Sequence, residues 1–182
     1  IRSQPRWSVP RRVEETYAVG GDDEGGGDGR KHHVAVGWLL PDPDPDDDET
    51  RLALQILDHV LLGTPASPLR KALIDSGLGE DTAGHGMETE LAQWFFSTGL
   101  KGVKAQDEER VAPLVLDTLA RLARDGIDPE TVTAALNTSE FRLRENNTGS
   151  YPRGLSLMLR SLSTWLYDGD PFAPLAFAAP LA

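Results

Sequence analysis

The sequence contains no cysteine, which excludes disulfide scaffolding, thiol catalysis and thiolate metal sites. It has no apolar run approaching the ~20 residues that cross a bilayer, so no membrane insertion is expected. Basic residues are the minority. Eighteen Lys and Arg stand against 29 Asp and Glu, for a formal net charge of -11. A nucleic-acid partner is therefore not expected, because displacing counterions from phosphates needs a basic face. An acidic surface keeps a protein soluble and also suits attraction of cationic peptides. With 182 residues, 39% of them hydrophobic, the chain is long enough for one domain with a substantial core.

Catalytic signatures are missing as well. The four histidines, His32, His33, His59 and His85, form neither H-E-x-x-H nor the inverted H-x-x-E-H. Two ligands one turn apart are the usual way to hold catalytic zinc on a helix, so we expect no catalytic residue, metal site or cofactor in this chain. No G-x-S-x-G occurs. The Gly/Asp-rich stretch 20–29 is followed by no Lys-Ser/Thr, and its carboxylates would repel phosphate. The acidic run 42–49 lacks the central glycine of a calcium loop and a bidentate glutamate at the loop's terminal spacing. The opening Ile1-Arg2-Ser3-Gln4-Pro5 is neither an initiator methionine nor a signal or transit peptide. On that ground we expect an internal segment of a longer chain.

The pattern that remains predicts alternating strands and helices. Residues 1–31 read as an extended connector, an edge strand (12–19, with Val13, Tyr17 and Val19 on one side) and a flexible loop. Residues 32–170 read as the α+β domain proper, and 171–182 as a C-terminal linker. Val34, Val36, Trp38 and Leu40 alternate with Ala35, Gly37 and Leu39, predicting a strand over 33–40 in an inner position. A helix is expected over 48–62, with Ala53, Ile56, Leu57, Val60 and Leu61 buried, and a second over 68–75. Strands over 80–87 and 91–103 follow. Three helices close the domain, over 107–124, 129–145 and 154–167. Asp128 caps the second of these, and Val132, Leu136, Phe141 and Leu143 are expected on its core side. This order predicts an antiparallel sheet with helices packed on one face.

Two loops carry candidate contacts. Residues 63–70 join two helices and offer Ser67 and Arg70. Residues 142–154 offer Arg144, Asn146, Asn147 and Arg153, rich in donors beside a helix C-terminus. Their functional reading is contact with a peptide backbone or a neighbouring domain. Arginines there also serve the last helical carbonyls.

Several blocks then point to a family. They are Leu54-Gln-Ile-Leu-Asp-His-Val-Leu-Leu-Gly-Thr-Pro-Ala-Ser-Pro-Leu-Arg70, Gly99-Leu-Lys-Gly-Val103, Glu140-Phe-Arg-Leu-Arg-Glu-Asn-Asn-Thr-Gly-Ser150 and Pro152-Arg-Gly-Leu-Ser-Leu-Met-Leu159. In this order they resemble the presequence proteases, organellar zinc metalloendopeptidases of the pitrilysin type, over about residues 32–172. The resemblance implies the second domain of the N-terminal half of a four-domain enzyme. Such an enzyme degrades cleaved targeting peptides and short unstructured peptides in a closed chamber, in the mitochondrial matrix or chloroplast stroma. It implies zinc bound by another domain, the remaining domains of the parent chain as partners, and short peptides as substrates. The sheet face away from the helices is expected to contribute to the chamber. Other readings are a structural relative such as a core subunit of a bc1-type respiratory complex, and a stand-alone peptide-binding module.

Overall fold

The computed structural model describes residues 5, 7–18, 30–40, 48–145 and 152–175. A three-stranded antiparallel sheet is built from β1 (Arg30–Leu39), β2 (Asp81–Glu88) and β3 (Phe95–Lys104), in the spatial order β1-β3-β2. Between β1 and β2 the chain makes α1 (Asp48–Leu62) and α2 (Pro68–Asp75). After β3 come a single 3₁₀ turn (Ala105–Asp107), α3 (Glu108–Asp125), α4 (Pro129–Glu145), α5 (Arg153–Trp165) and a 3₁₀ turn at Ala173–Leu175.

Period-two alternation decides which face of the sheet is buried. Val34, Val36 and Trp38 of β1 stand opposite Leu100, Thr98 and Phe96 of β3. On that face they join Leu69 and Leu73 of α2 and Val111 and Val115 of α3 in one hydrophobic core. Leu69, Leu73, Leu100, Val103, Val111 and Val115 are wholly buried. Of the other register positions, His33, Ala35, Gly37 and Lys101 are exposed, Leu39, Phe95 and Ser97 half-buried, and Gly99 buried between its neighbouring strands. The expected α+β architecture, antiparallel strands with helices on one side, is what the chain forms.

Several local expectations differ. Residues 11–18 make no strand among the described residues. Side chains occupy the place of a ladder: the Tyr17 hydroxyl donates to the Lys31 carbonyl, the Tyr17 ring lies 5.2 Å from that of His33, and Arg12 pairs with Glu109 of α3. Val19 lies outside the described residues. β1 is an edge strand and β3 the inner one. Apolar residues on both faces of β1 therefore did not mean two strand neighbours.

β3 begins four residues later than its apolar run, because Leu91 is exposed and Trp94 turns into the core with the Arg51 guanidinium 5.2 Å from its ring. Helix α3 runs unbroken across Pro113, which costs it one backbone hydrogen bond. On α1, Val60 and Leu61 are buried while Ala53 and Leu57 are exposed. Apolar periodicity marks a face that wants cover, not which neighbour supplies it. On α4, Ala135 is buried, but Leu136 and Phe141 are 44% and 59% exposed. Phe141 falls about 180° from Val132 at 3.6 residues per turn, so the two cannot share a face.

Candidate functional site

The α1–α2 junction is held by one buried hydroxyl. Ser67, at the start of α2, is buried; its Oγ accepts from the Thr64 N–H at 3.0 Å and donates to the His59 carbonyl at 3.2 Å. The Thr64 hydroxyl adds a third bond at 3.1 Å. Gly63 ends α1 where a Cβ would collide with the His59 ring. Ser67 therefore fixes the turn, with its Oγ bonded inward.

Arg70, one turn into α2, points into a cleft of about 300 Å³ between the α1–α2 junction and β2. Asp58, Thr82, His85 and Thr98 line the same cleft. It exists because β2 is irregular. Gly84 and Gly86 adopt positive φ, 90° and 68°, and the register with β3 slips between Ala83 and Gly86. This bulge lets the Asp58 side chain approach the strand. A Cβ on Gly86 would lie 2.5 Å from Asp58 Oδ1. The Met87 N–H donates to that oxygen at 3.0 Å. Burial pushes the Asp58 carboxyl above its ordinary range, and the Met87 N–H and the nearby His59 only partly oppose it. Thr98 is buried at the floor, its hydroxyl without a hydrogen-bond partner. Glycine on both sides of His85 within a strand pattern was the sequence signal for this bulge; nothing in the sequence marked Asp58 or Thr98.

The second group of candidates lies elsewhere. Arg144, in the last turn of α4, pairs with Glu140 one turn back at 2.5 Å. Arg153 opens α5 and is exposed. Neither lines the cleft. Asn146 and Asn147 lie outside the described residues.

Across the uncovered sheet face, register places Ala35, Gly99 and Ala83 in one row and Gly37 and Ser97 in the next, where their partner on β2, Gly86, is turned by the bulge toward Asp58 of α1. A row of His33, Lys101 and Asp81 bounds them at one end, and one of Leu39, Phe95 and Glu88 at the other. Lys101 bridges to Asp81 at 3.1 Å, and with the Thr82 N–H holds that carboxyl below its usual range. The result is a shallow, small-residue strip with charged and apolar ends.

No group of three or more His, Asp or Glu among the described residues is placed to hold a metal ion. Asp58 and His85 line one cleft, and Asp58 Oδ1 accepts the Met87 N–H. These residues do not fit a catalytic zinc, which needs three protein ligands and an open position.

Comparison with known proteins matches the peptidase M16 inactive domain to residues 4–139. The chain belongs to that family. Over 181 residues this M16 inactive domain is 52% identical to Presequence protease 1, chloroplastic/mitochondrial, of Arabidopsis thaliana, covering all of the chain but 16% of the relative. It is 40% identical to Protein HypA of Clostridium perfringens, covering 97% of the chain and 18% of that protein. It is 31% identical to the mitochondrial presequence protease of Xenopus laevis, covering 94% and 16%. The chain thus spans about a sixth of the length of these relatives. In fold it resembles the solved inactive peptidase domain from Bordetella parapertussis, with a TM-score of 0.60 at 19% identity over 81% of this chain and 76% of that one.

Proposed function

We propose that this M16 inactive domain is a non-catalytic wall of the peptide chamber of a zinc metalloendopeptidase. The parent enzyme degrades cleaved targeting peptides and short unstructured peptides in the mitochondrial matrix or chloroplast stroma. The observation that carries the reading is the 52% identity, along the whole chain, to a chloroplastic/mitochondrial presequence protease, in a domain whose family is named inactive. Among the described residues no group of three or more His, Asp or Glu is placed for a zinc, which supports the same division of labour, with the metal held by another domain.

The uncovered sheet face is the surface offered to the chamber. Its rows of Ala, Gly and Ser leave room for an extended peptide backbone to lie close, while Lys101, Asp81 and Glu88 give its ends polar partners. The net charge of -11 favours cationic peptides at long range. Arg70, Arg144 and Arg153, with Asn146 and Asn147, are the proposed contacts to peptide or to neighbouring domains.

The test uses two forms: the longer polypeptide and the 182-residue chain alone. The longer form is expected to bind zinc and cleave a basic amphipathic peptide, whereas the chain alone neither binds zinc stoichiometrically nor cleaves. Cleavage by the zinc-loaded chain alone would refute the proposal. Substitution Ser97→Arg, on the uncovered face, is expected to raise the KM of the longer form with kcat little changed. An unchanged KM would remove that face from the chamber.

A further inference from the structure

The cleft between the α1–α2 junction and β2 is lined by two opposite charges that do not pair, Asp58 from α1 and Arg70 from α2. Among the described residues Arg70 makes no hydrogen bond or ion pair, although its charge reaches Asp81. Asp58 Oδ1 accepts the Met87 N–H. Burial raises the Asp58 carboxyl, and the groups that oppose this are the Met87 N–H and His59; Arg70 is not one of them. A guanidinium and a carboxylate free to approach one another close into a bidentate pair. Here Asp58 is tied to β2 through Met87, and Arg70 follows the wholly buried Leu69 on α2, so both backbones are fixed. The rest of the lining leaves room. Ala83, Gly84 and Gly86 carry little or no side chain, and Thr98 brings to the floor a buried hydroxyl with no hydrogen-bond partner among the described residues. An unmet hydroxyl in such a place calls for a bound water or ligand group. The cleft's volume of about 300 Å³ is at the lower limit for small-molecule sites.

We infer that this cleft binds a dipeptide with both ends free, its ammonium on Asp58 and its carboxylate on Arg70. Charge decides against the other occupants. A metal ion would meet one carboxylate and a repelling guanidinium, and no group of three ligands among the described residues. An anion such as phosphate would meet Asp58 and a chain of net charge -11. A simple amine would leave Arg70 unmet. A zwitterion matches both charges and, carrying no net charge itself, is indifferent to that of the chain. Length follows from the separation of the two groups, which lie too far apart to bridge. An extended dipeptide sets its ends up to about 7 Å apart, whereas a free amino acid carries both charges on one carbon and spans less. The site lies on the helical side of β2, where Thr82 and Thr98 face, and not on the uncovered sheet face. The inference gives Arg70 its ligand, and in that it rests on the reading that short peptides reach this domain.

Calorimetry with L-alanyl-L-alanine, on the longer polypeptide freed of metal by a chelator, tests this without any cleavage. Saturable binding is expected, and its absence overturns the inference. N-acetylation of the dipeptide, or amidation of its carboxylate, should each weaken binding at least about tenfold, since each removes one charge-assisted pair. A blocked form that binds like the free dipeptide assigns the cleft to one end alone and overturns the inference; so does free alanine binding equally well. On the protein side, Asp58→Asn and Arg70→Gln should each weaken binding by a similar factor while the protein stays folded. Each variant should also become insensitive to the block at its own end: acetylation ceases to matter in Asp58→Asn, and amidation in Arg70→Gln. Binding unaltered in both variants overturns the inference. Failure of the dipeptide to bind leaves the chamber role standing, and a parent without peptidase activity leaves this cleft standing.

Discussion

The Asp58 carboxylate of α1 accepts the backbone N–H of Met87 in β2 at 3.0 Å, across a strand that Gly84 and Gly86 have opened to admit it. The bond ties the helical layer to the edge of the sheet. Burial raises the carboxyl's pKa above the unfolded value. The native state then holds the Asp58 proton more tightly than the unfolded state does. The site's contribution is greatest below the unfolded carboxylate pKa, and it declines as pH rises through the folded one. Asp58→Asn keeps an acceptor for Met87 and removes the half-buried charge. Its stability at pH 7 is expected to equal or exceed that of the wild type, with the gap closing as pH falls toward 4. Asp58→Ala, which leaves the Met87 N–H unmet, should cost about 1–3 kcal/mol. Urea unfolding of the three proteins across that pH range decides the matter, and a destabilised Asn variant would contradict the assignment.

Thr98 supplies a second test beside the same cleft. Its side chain is buried on the core face of β3 and its hydroxyl bonds to nothing. A buried hydroxyl without a partner is a cost carried by the native state. Thr98→Val has nearly the same shape and no hydroxyl, so it should leave stability unchanged or raise it by about 1 kcal/mol. Thermal and urea melts measure this directly. A loss of stability would mean that the hydroxyl is satisfied after all.

Much of this structure was legible from local chemistry. The bounds of α1 and α2 follow from Gly63, Pro68 and Gly77, and the start of α4 from Asp128 and Pro129. These signals act within one turn of backbone, and no tertiary neighbour overrides them. What the sequence could not resolve is which apolar face meets which partner. Val34 and Val36 read as part of an inner strand, yet β1 lies at the edge. Phe141 is apolar on a helix and still faces out. The cleft was legible only in part: glycines at 84 and 86 within a strand are a signal for a bulge, but the pairing of Met87 with a helical aspartate 29 residues earlier is a tertiary fact. Ser67 was visible as a polar residue in a loop. Only the fold shows it bonded inward to His59 and Thr64.

The core should respond to truncation at α2, whose Leu73 is wholly buried against α3 and the sheet. Deleting most of that side chain removes buried apolar area and leaves a cavity among residues that can shift little. Leu73→Ala is expected to cost about 2–5 kcal/mol. Ile74→Ala, one residue on and 41% exposed, should cost under about 1 kcal/mol. Chemical denaturation of the pair gives the contrast. Similar losses at both positions would mean that α2 does not sit in the core with the face described.

The start of α4 offers a pH test of opposite sign to Asp58. Asp128 Oδ2 accepts from both the backbone N–H and the hydroxyl of Thr131, each at 2.9 Å, satisfying a donor that the helix leaves open. Those bonds hold the Asp128 carboxyl below its ordinary pKa. A depressed folded pKa means that the cap contributes fully above the unfolded carboxylate pKa. The contribution is lost as pH falls through the folded value. Asp128→Ala should therefore lower Tm by a few degrees at pH 7, with the difference from wild type shrinking in acid below the ordinary carboxylate range. Asp128→Asn, which keeps the acceptor oxygen without the charge, should recover most of the loss at neutral pH. Melts followed by far-ultraviolet circular dichroism report this, and an Ala variant equal to wild type at pH 7 would show that α4 starts without its cap.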